Sequence, residues 1–207
     1  MGRVGRRILA VSVTVALFGL GACGPSSDDG PTATVPTSPA TSVVATTPAG
    51  PADPYAVPAV IDAAYVNRVL AALDAVVGDA VRIVVRTRAL PKEAVDRLTA
   101  VYADPDALQL EIDLLQEELR TGLRSLTPQP GNKRTVVTDL VNGTETCIFA
   151  KISRDYSAVS ASSVPLDTQW VALKPMSRTP YNPTSWGYIY EGFQEDLGPP
   201  DNPCAVP

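Results

Sequence analysis

Residues 24–54 set the strongest limit on what this chain can fold into. They contain seven prolines, many serines and threonines, no aromatic residue, and three valines as the only larger aliphatic side chains. Such a segment cannot bury enough apolar surface to offset the entropy lost on ordering, so we expect an extended, disordered tether. It serves either as a spacer or as a tail with no length requirement. Residues 55–207 remain for a single folded domain.

The residues before the tether have the three-part pattern of a secretory signal peptide. Arg3, Arg6 and Arg7 are the only charges in the first 27 residues. Residues 8–22 then form an apolar stretch, which is shorter than the about 20 residues that a membrane-spanning helix needs. The pattern predicts export of the chain.

The end of this stretch, Leu20-Gly21-Ala22-Cys23, resembles the bacterial lipobox, in which a diacylglyceryl group is joined to the cysteine sulfur. The resemblance implies a signal peptide over residues 1–22, cleavage between Ala22 and Cys23, and acylation at Cys23. Several acyl chains on one residue give stable membrane attachment. We therefore expect a lipid-anchored protein on the extracytoplasmic face of the cell membrane. The alternatives are an ordinary signal peptide that contains a cysteine, and an uncleaved anchor.

The charge balance limits the partners of the exported chain. The full sequence has 17 basic and 22 acidic residues, and three of the basic ones lie in the signal segment. The remainder carries a formal net charge of −8, with 14 basic against 22 acidic residues. Nucleic-acid binding requires a basic patch, so we expect no nucleic-acid partner. The membrane contact is expected from the lipid rather than from charge.

The first half of the domain has the periodicity of helices. Apolar residues three and four apart predict a first helix that ends at Gly78, after which "DAVRIVVRTR" fits either a short helix or a strand. Pro91 suits the first turn of a second helix. Asp104 is a candidate cap for a third helix, with Pro105 at its first position.

The third helix carries a stripe of apolar residues, which predicts packing on a sheet of the same domain rather than a coiled coil. Its members are Leu108, Ile112, Leu115, Leu119 and Leu126. We expect acidic residues to cover the opposite side: Glu111, Asp113, Glu117 and Glu118.

The second half is rich in strand-forming residues. Asn142-Gly143 between two such runs predicts a hairpin with a two-residue loop, which would pair Val137 with Ile148 and Val136 with Phe149. The segments "DTQWVALK" and "SWGYIYEGF" predict two further strands, separated by a loop with three prolines. Alternation along the last strand would send Trp186, Tyr188 and Tyr190 to one face.

Helices followed by a meandering sheet predict an α+β domain. The order of elements resembles the NTF2-like fold, in which a curved antiparallel sheet wraps a long helix and leaves a pocket; secreted lipoproteins of high-GC bacteria are similar. This fold often has a strand between its helices, and only "VRIVV" could supply one here. A cystatin-like or another α+β sheet is the alternative.

The three cysteines have two expected roles, lipidation and a disulfide bond. Cys23 is assigned to the lipid, so in an exported protein Cys147 and Cys204 are expected to form a disulfide. Such a bond would attach the proline-rich C-terminal segment to the sheet.

The sequence argues against catalysis and against metal or cofactor binding. It contains no histidine, which removes His-based triads and His metal ligands, and it has no glycine-rich phosphate loop. We expect no enzyme and no cofactor. The alternative is a cone-fold isomerase or hydratase with an Asp or Glu base and a Tyr. Asp155 beside Tyr156, or Glu191 beside Tyr190, supplies the residue types, although strand neighbours point to opposite faces.

The favoured hypothesis is a non-catalytic binding domain, for a small apolar ligand or an envelope protein partner. The candidate ligand pocket is the aromatic set Phe149, Trp170, Trp186, Tyr188 and Tyr190. The alternative is that these residues pack against the leucine stripe and form the core.

Overall fold

The structure, a computed structural model, describes residues 52–162, 167–193 and 202–204. The predicted signal peptide, the lipobox with Cys23, and most of the tether lie outside these residues. The elements in chain order are α1 (Ala63–Thr87), α2 (Lys92–Thr99), α3 (Pro105–Arg120), β1 (Arg134–Thr144), β2 (Cys147–Asp155), β3 (Asp167–Pro175) and β4 (Trp186–Phe193).

The predicted α+β class is confirmed, because three helices precede an antiparallel sheet of order β1-β2-β3-β4. The main core lies between α1 and one face of the sheet, where Val69 and Leu73 of α1 share a buried cluster with Ile152 and Leu173. Within the described part of the chain, no helix is both long enough and apolar enough to cross a bilayer.

Contrary to the prediction, helix α1 does not end at Gly78 but continues to Thr87. The segment "DAVRIVVRTR" is therefore mostly helical, and its strand alternative is wrong. Gly78 is buried, and a Cβ there would overlap the Asn132 side chain and lie 3.3 Å from the Gly131 carbonyl oxygen. The glycine thus permits the close approach of the segment that leads into β1.

Helix α3 begins as predicted and packs less tightly than predicted. The Asp104 carboxylate accepts hydrogen bonds from the backbone N–H groups of Asp106 and Ala107, which caps the helix. Leu115 is the only residue of α3 that is fully buried, and Leu126 lies beyond the end of the helix. The helix therefore covers the sheet incompletely.

The hairpin forms, but its turn lies three residues later than predicted. β1 continues through Asn142-Gly143 to Thr144, which pairs with Cys147 across a turn at residues 145–146. Val137 consequently faces Ile152, and Val136 faces Ser153. Two register irregularities, between Val137 and Asp139 and between Leu140 and Asn142, also shift the pairing, and a Cβ on Gly143 would lie 3.0 Å from the Ile61 carbonyl oxygen.

The predicted alternation along β4 is wrong after Tyr188. Tyr188 pairs with Leu173 and Tyr190 pairs with Ala172, so Ile189 is an extra residue that forms a β-bulge. Tyr190 therefore lies on the opposite face from Trp186 and Tyr188. Glu191 returns to the face that carries Tyr188. The two predicted strands are present as β3 and β4, but Pro175 belongs to β3, so only Pro180 and Pro183 lie in the loop between them.

Cys147 and Cys204 form the expected disulfide, with their Cα atoms 5.5 Å apart and a sequence separation of 57. The bond attaches residues 202–204 to the start of β2. Cys204 packs there against a small cluster on the outer sheet face that contains Phe149 and Trp170.

The chain enters the domain through a contact with the β3–β4 loop. The Arg178 guanidinium pairs with the Asp53 carboxylate at 2.6 Å and donates to the Tyr55 carbonyl oxygen at 3.1 Å. The last residues assigned to the tether are thus bound at the end of the sheet where β3 finishes and β4 begins.

Candidate functional site

A cavity of about 400 Å³ lies between α3 and the end of the sheet where β2 finishes and β3 begins. Its apolar wall is formed mainly by Val81, Leu110, Leu114, Leu115, Leu126 and Val159. Leu110 and Leu114 of this wall remain 57% and 54% exposed.

Helix α3 is attached by backbone hydrogen bonds at both ends, while Leu108, Ile112, Leu115 and Leu119 pack on the main core. Before the helix, the Ala103 N–H donates to the Tyr188 carbonyl oxygen at 2.7 Å. After it, Thr127 N–H donates to the Val159 carbonyl oxygen at 2.8 Å, and Gly131 N–H donates to that of Ala158 at 2.7 Å. The cavity lies beside the turns of the helix that carry Leu110 and Leu114.

The polar end of the cavity is organised by Arg154, whose side chain is 1% exposed. Its Nε donates to Thr135 Oγ1 at 2.9 Å, and its Nη1 donates to Gln169 Oε1 at 3.2 Å. Two carboxylates share the positive charge: Glu191 lies 2.5 Å from Nη1, and Asp74 lies 3.3 Å from Nη2. A buried guanidinium is costly unless hydrogen-bond acceptors and opposite charges surround it in this way.

Two tyrosines complete this network. Tyr188 OH donates to Asp74 Oδ1 at 3.0 Å, and Tyr102 OH donates to Glu191 Oε2 at 3.1 Å. Burial and the adjacent carboxylate charges raise the pKa of both tyrosines well above the ordinary value. Burial opposes the charge on Glu191, but the charges of Arg154 and Lys133 hold its pKa below its ordinary value. Both hydroxyls therefore remain donors.

Glu111 and Lys133 line the cavity beside this network, and both are half-buried. Removal from water raises the pKa of the Glu111 carboxyl, against the opposing charge of Lys133. Burial alone would lower the pKa of Lys133, but the charge of Glu191 prevails and holds it above its ordinary value. The Lys133 Nζ lies 5.7 Å from the centre of the Tyr156 ring.

None of the five aromatic residues predicted as a pocket lines this cavity. Trp186 and Tyr188 are buried in the main core, at 1% and 0% exposure. Phe149 and Trp170 stack at 5.0 Å on the opposite face of the sheet, with Tyr190 beside them. The β4 bulge places Tyr190 on that face, away from Trp186 and Tyr188.

The structure does not bring together the members of the two sequence-neighbouring carboxylate–tyrosine pairs, Asp155 with Tyr156 and Glu191 with Tyr190, as a site. Asp155 accepts a hydrogen bond from Ser157 N–H at 2.8 Å, whereas Tyr156 lines the cavity and its hydroxyl accepts from Gln169 Nε2 at 2.7 Å. Glu191 belongs to the site, but its tyrosine partner is Tyr102 rather than Tyr190.

Sequence reasoning missed Tyr102, Glu111, Lys133 and Arg154. A signal for Glu111 was present, because it precedes the buried Leu115 by four residues, and residues four apart share a helix face. Glu118 follows Leu115 by three residues and also lines the cavity. The expectation that both cover the side away from the leucine stripe is wrong.

Among the described residues, no group of acidic or cysteine side chains is arranged to hold a metal ion. Comparison of the chain with protein-family models, with curated proteins and with solved structures found no match. Function is therefore inferred from the cavity and its lining.

Proposed function

We propose that this chain is a lipid-anchored envelope protein whose α+β domain binds a small amphipathic molecule in the cavity beneath α3, without catalysis. The observation that carries the proposal is the cavity itself. Its volume falls within the about 300–1,000 Å³ of small-molecule sites, and its lining combines a leucine wall with a few fixed polar groups. A ligand that covers Leu110 and Leu114 would gain about 25 cal/mol for each Å² of apolar surface removed from water.

We propose further that the fold is NTF2-like. The support is a long helix on one face of an antiparallel sheet, with a cavity between a helix and that sheet. One departure remains, because "VRIVV" lies within α1 and supplies no strand between the helices.

The cavity is tested by placing a charge on its apolar wall. Leu114→Asp should weaken binding of the neutral dye Nile red by about tenfold or more, because a carboxylate in an apolar site is costly. The measurement is a fluorescence titration of the full-length chain. Val136→Asp is the matched control, since Val136 is 55% exposed on β1 and does not line the cavity. Equal affinities for the two variants would contradict the proposed site.

The anchor is tested separately. Cells grown with an alkyne fatty acid should label the wild-type chain and not Cys23→Ala, because the lipobox assigns the acyl groups to Cys23. The readout is in-gel fluorescence after click coupling. If the alanine variant is labelled equally, the lipoprotein assignment is wrong.

A second candidate function is proton transfer by a cone-fold isomerase or hydratase. The observation that favours it is Glu111, a carboxyl of raised pKa in an apolar cavity that also contains the Tyr102 hydroxyl. Deuterium exchange at the α-carbon of a bound apolar ketone, lost in Glu111→Gln, would establish this function in place of simple binding.

A further inference from the structure

We infer that the molecule bound in this cavity presents an uncharged carbonyl oxygen, of an ester or a ketone, to the Tyr156 hydroxyl and the Lys133 ammonium group. The inference rests on the proposed function, because it assigns a chemical class to the ligand of the same cavity.

The first support is the direction of a chain of hydrogen bonds that ends at the cavity. A guanidinium group only donates, so the bond from Arg154 Nη1 to Gln169 Oε1 at 3.2 Å fixes the orientation of the Gln169 amide. The Gln169 Nε2 therefore donates to the Tyr156 hydroxyl oxygen at 2.7 Å. The hydroxyl proton of Tyr156 is not used in this chain and has no acceptor among the described residues. Because Tyr156 lines the cavity, the chain ends in a donor at the cavity wall.

The second support is a cation at the same end of the cavity. Lys133 lines the cavity, and its Nζ lies 5.7 Å from the centre of the Tyr156 ring. Among the described residues this Nζ has no hydrogen-bond partner, and it keeps some accessible surface. The Tyr102 proton, in contrast, is used in the bond to Glu191. A ligand at the polar end therefore meets the Lys133 ammonium group and the Tyr156 hydroxyl as donors.

The cost of leaving these two donors without an acceptor selects the ligand. Water can accept from both groups in the free domain, and a ligand that displaces this water must replace its hydrogen bonds. A hydrocarbon, or an ammonium group that only donates, would leave both donors unpaired in a partly desolvated space. Sites that hydrogen-bond a polar group of the ligand discriminate strongly against analogues that lack it.

The charge of the polar end decides between a carboxylate and a neutral carbonyl as the acceptor. Arg154 is already shared by Asp74 and Glu191. Lys133 is under the opposite charges of Glu191 and Glu111. No positive charge remains to offset a carboxylate on the ligand, whereas an uncharged carbonyl accepts from the donors without adding charge.

The inference is tested with phenylalkyl probes that have nearly the same shape and differ in the terminal group. They are benzylacetone (ketone), methyl hydrocinnamate (ester), hydrocinnamate (carboxylate), phenylpropylammonium (amine) and butylbenzene (hydrocarbon). Each is titrated into the full-length chain by calorimetry. Among the four polar probes, we expect the ketone or the ester to bind about tenfold or more tightly than the carboxylate and the amine. Whichever of these two binds more tightly supports the inference and identifies the carbonyl class.

A variant assigns this preference to the Tyr156 hydroxyl. Tyr156→Phe should weaken benzylacetone about two- to tenfold, as for the loss of one neutral hydrogen bond. Butylbenzene, in which a methylene replaces the carbonyl, should bind the variant equally or more tightly, which also shows that the variant is folded. Tyr181→Phe removes the same atom from an exposed tyrosine outside the cavity lining, and should change neither affinity.

A second pair of variants tests the donors independently. Gln169→Glu places a carboxylate where the amide donates, and this carboxylate can accept the Tyr156 proton. The hydroxyl is then present but no longer available to a ligand, so the loss for benzylacetone should match that of Tyr156→Phe. Lys133→Met removes the other donor and should also weaken benzylacetone but not butylbenzene.

The outcomes separate this inference from the proposed function. If the probes bind and Leu114→Asp weakens them, but Tyr156→Phe affects benzylacetone no more than butylbenzene, the cavity stands and the carbonyl assignment is overturned. Tightest binding of hydrocinnamate or phenylpropylammonium among the polar probes would overturn it as well. If none of the probes binds, or if Leu114→Asp has no effect on them, the proposed binding function itself is wrong.

Discussion

Replacing Trp186 with alanine should lower the free energy of unfolding by about 3–5 kcal/mol, the usual cost of deleting a packed aromatic side chain. The ring is 1% exposed and belongs to the main core. Its Nε1 also donates a hydrogen bond to Tyr65 OH at 2.9 Å, so the substitution removes a buried polar contact together with the apolar surface. A domain of this size has only about 5–15 kcal/mol of stability, so the effect should be large.

The measurement is chemical denaturation of the full-length chain, followed by circular dichroism. Tyr181→Ala is the control, because Tyr181 is 38% exposed in the β3–β4 loop, where its ring centre lies 4.6 Å from the Arg97 guanidinium carbon. Its loss should stay below about 1 kcal/mol. A Trp186→Ala chain as stable as the parent would show that the ring is not a core residue, and would move the binding hypothesis back to the aromatic set.

Replacing Arg154 with methionine should be equally severe, at about 3–5 kcal/mol. The side chain would keep its approximate volume, but Asp74 and Glu191 would lose the cation that both contact. Removal of one partner from a buried ion pair costs more than the pair contributes, because the remaining charge is left without compensation.

Two controls identify the cause. Arg178→Met removes a guanidinium from an ion pair with Asp53 whose side chains are about 40% exposed, and should cost less than about 1 kcal/mol. The deficit of Arg154→Met should also shrink as the pH falls, because protonation neutralises Glu191, the carboxyl whose pKa Arg154 holds below its ordinary value. A deficit that is the same at acidic and neutral pH would indicate lost packing rather than uncompensated charge.

The features that sequence reasoning predicted correctly depend on short-range chemistry. Asp104 and Pro105 begin α3 because a cap and a fixed φ act within one turn, whatever the rest of the fold does. The Cys147–Cys204 bond followed from export and from the number of thiols. The α+β class followed from the order of helical and alternating segments.

The features that were missed depend on contacts between distant residues. Gly78 and Gly143 look like a helix end and a turn, yet each permits another segment to approach closely. Nothing local marks Ile189 as a bulge, although this single extra residue decides that Glu191 joins Arg154. The alternation of residues along the strand therefore could not predict the candidate site, because a shift of one position moves a side chain to the other face of the sheet.

The contact of Arg178 with Asp53 and Tyr55 fixes the end of the sheet at which the chain enters the domain. The chain enters where β3 ends, at Pro175, whereas the cavity lies where β3 begins, beside Gln169. Six residues of extended strand separate the two positions by about 20 Å. In a chain anchored through its N terminus, the end of the sheet where the chain enters is the end joined to the anchor. The proposed ligand site lies at the other end. On the proposed function, a ligand would enter the domain at the end of the sheet opposite the one where the chain enters.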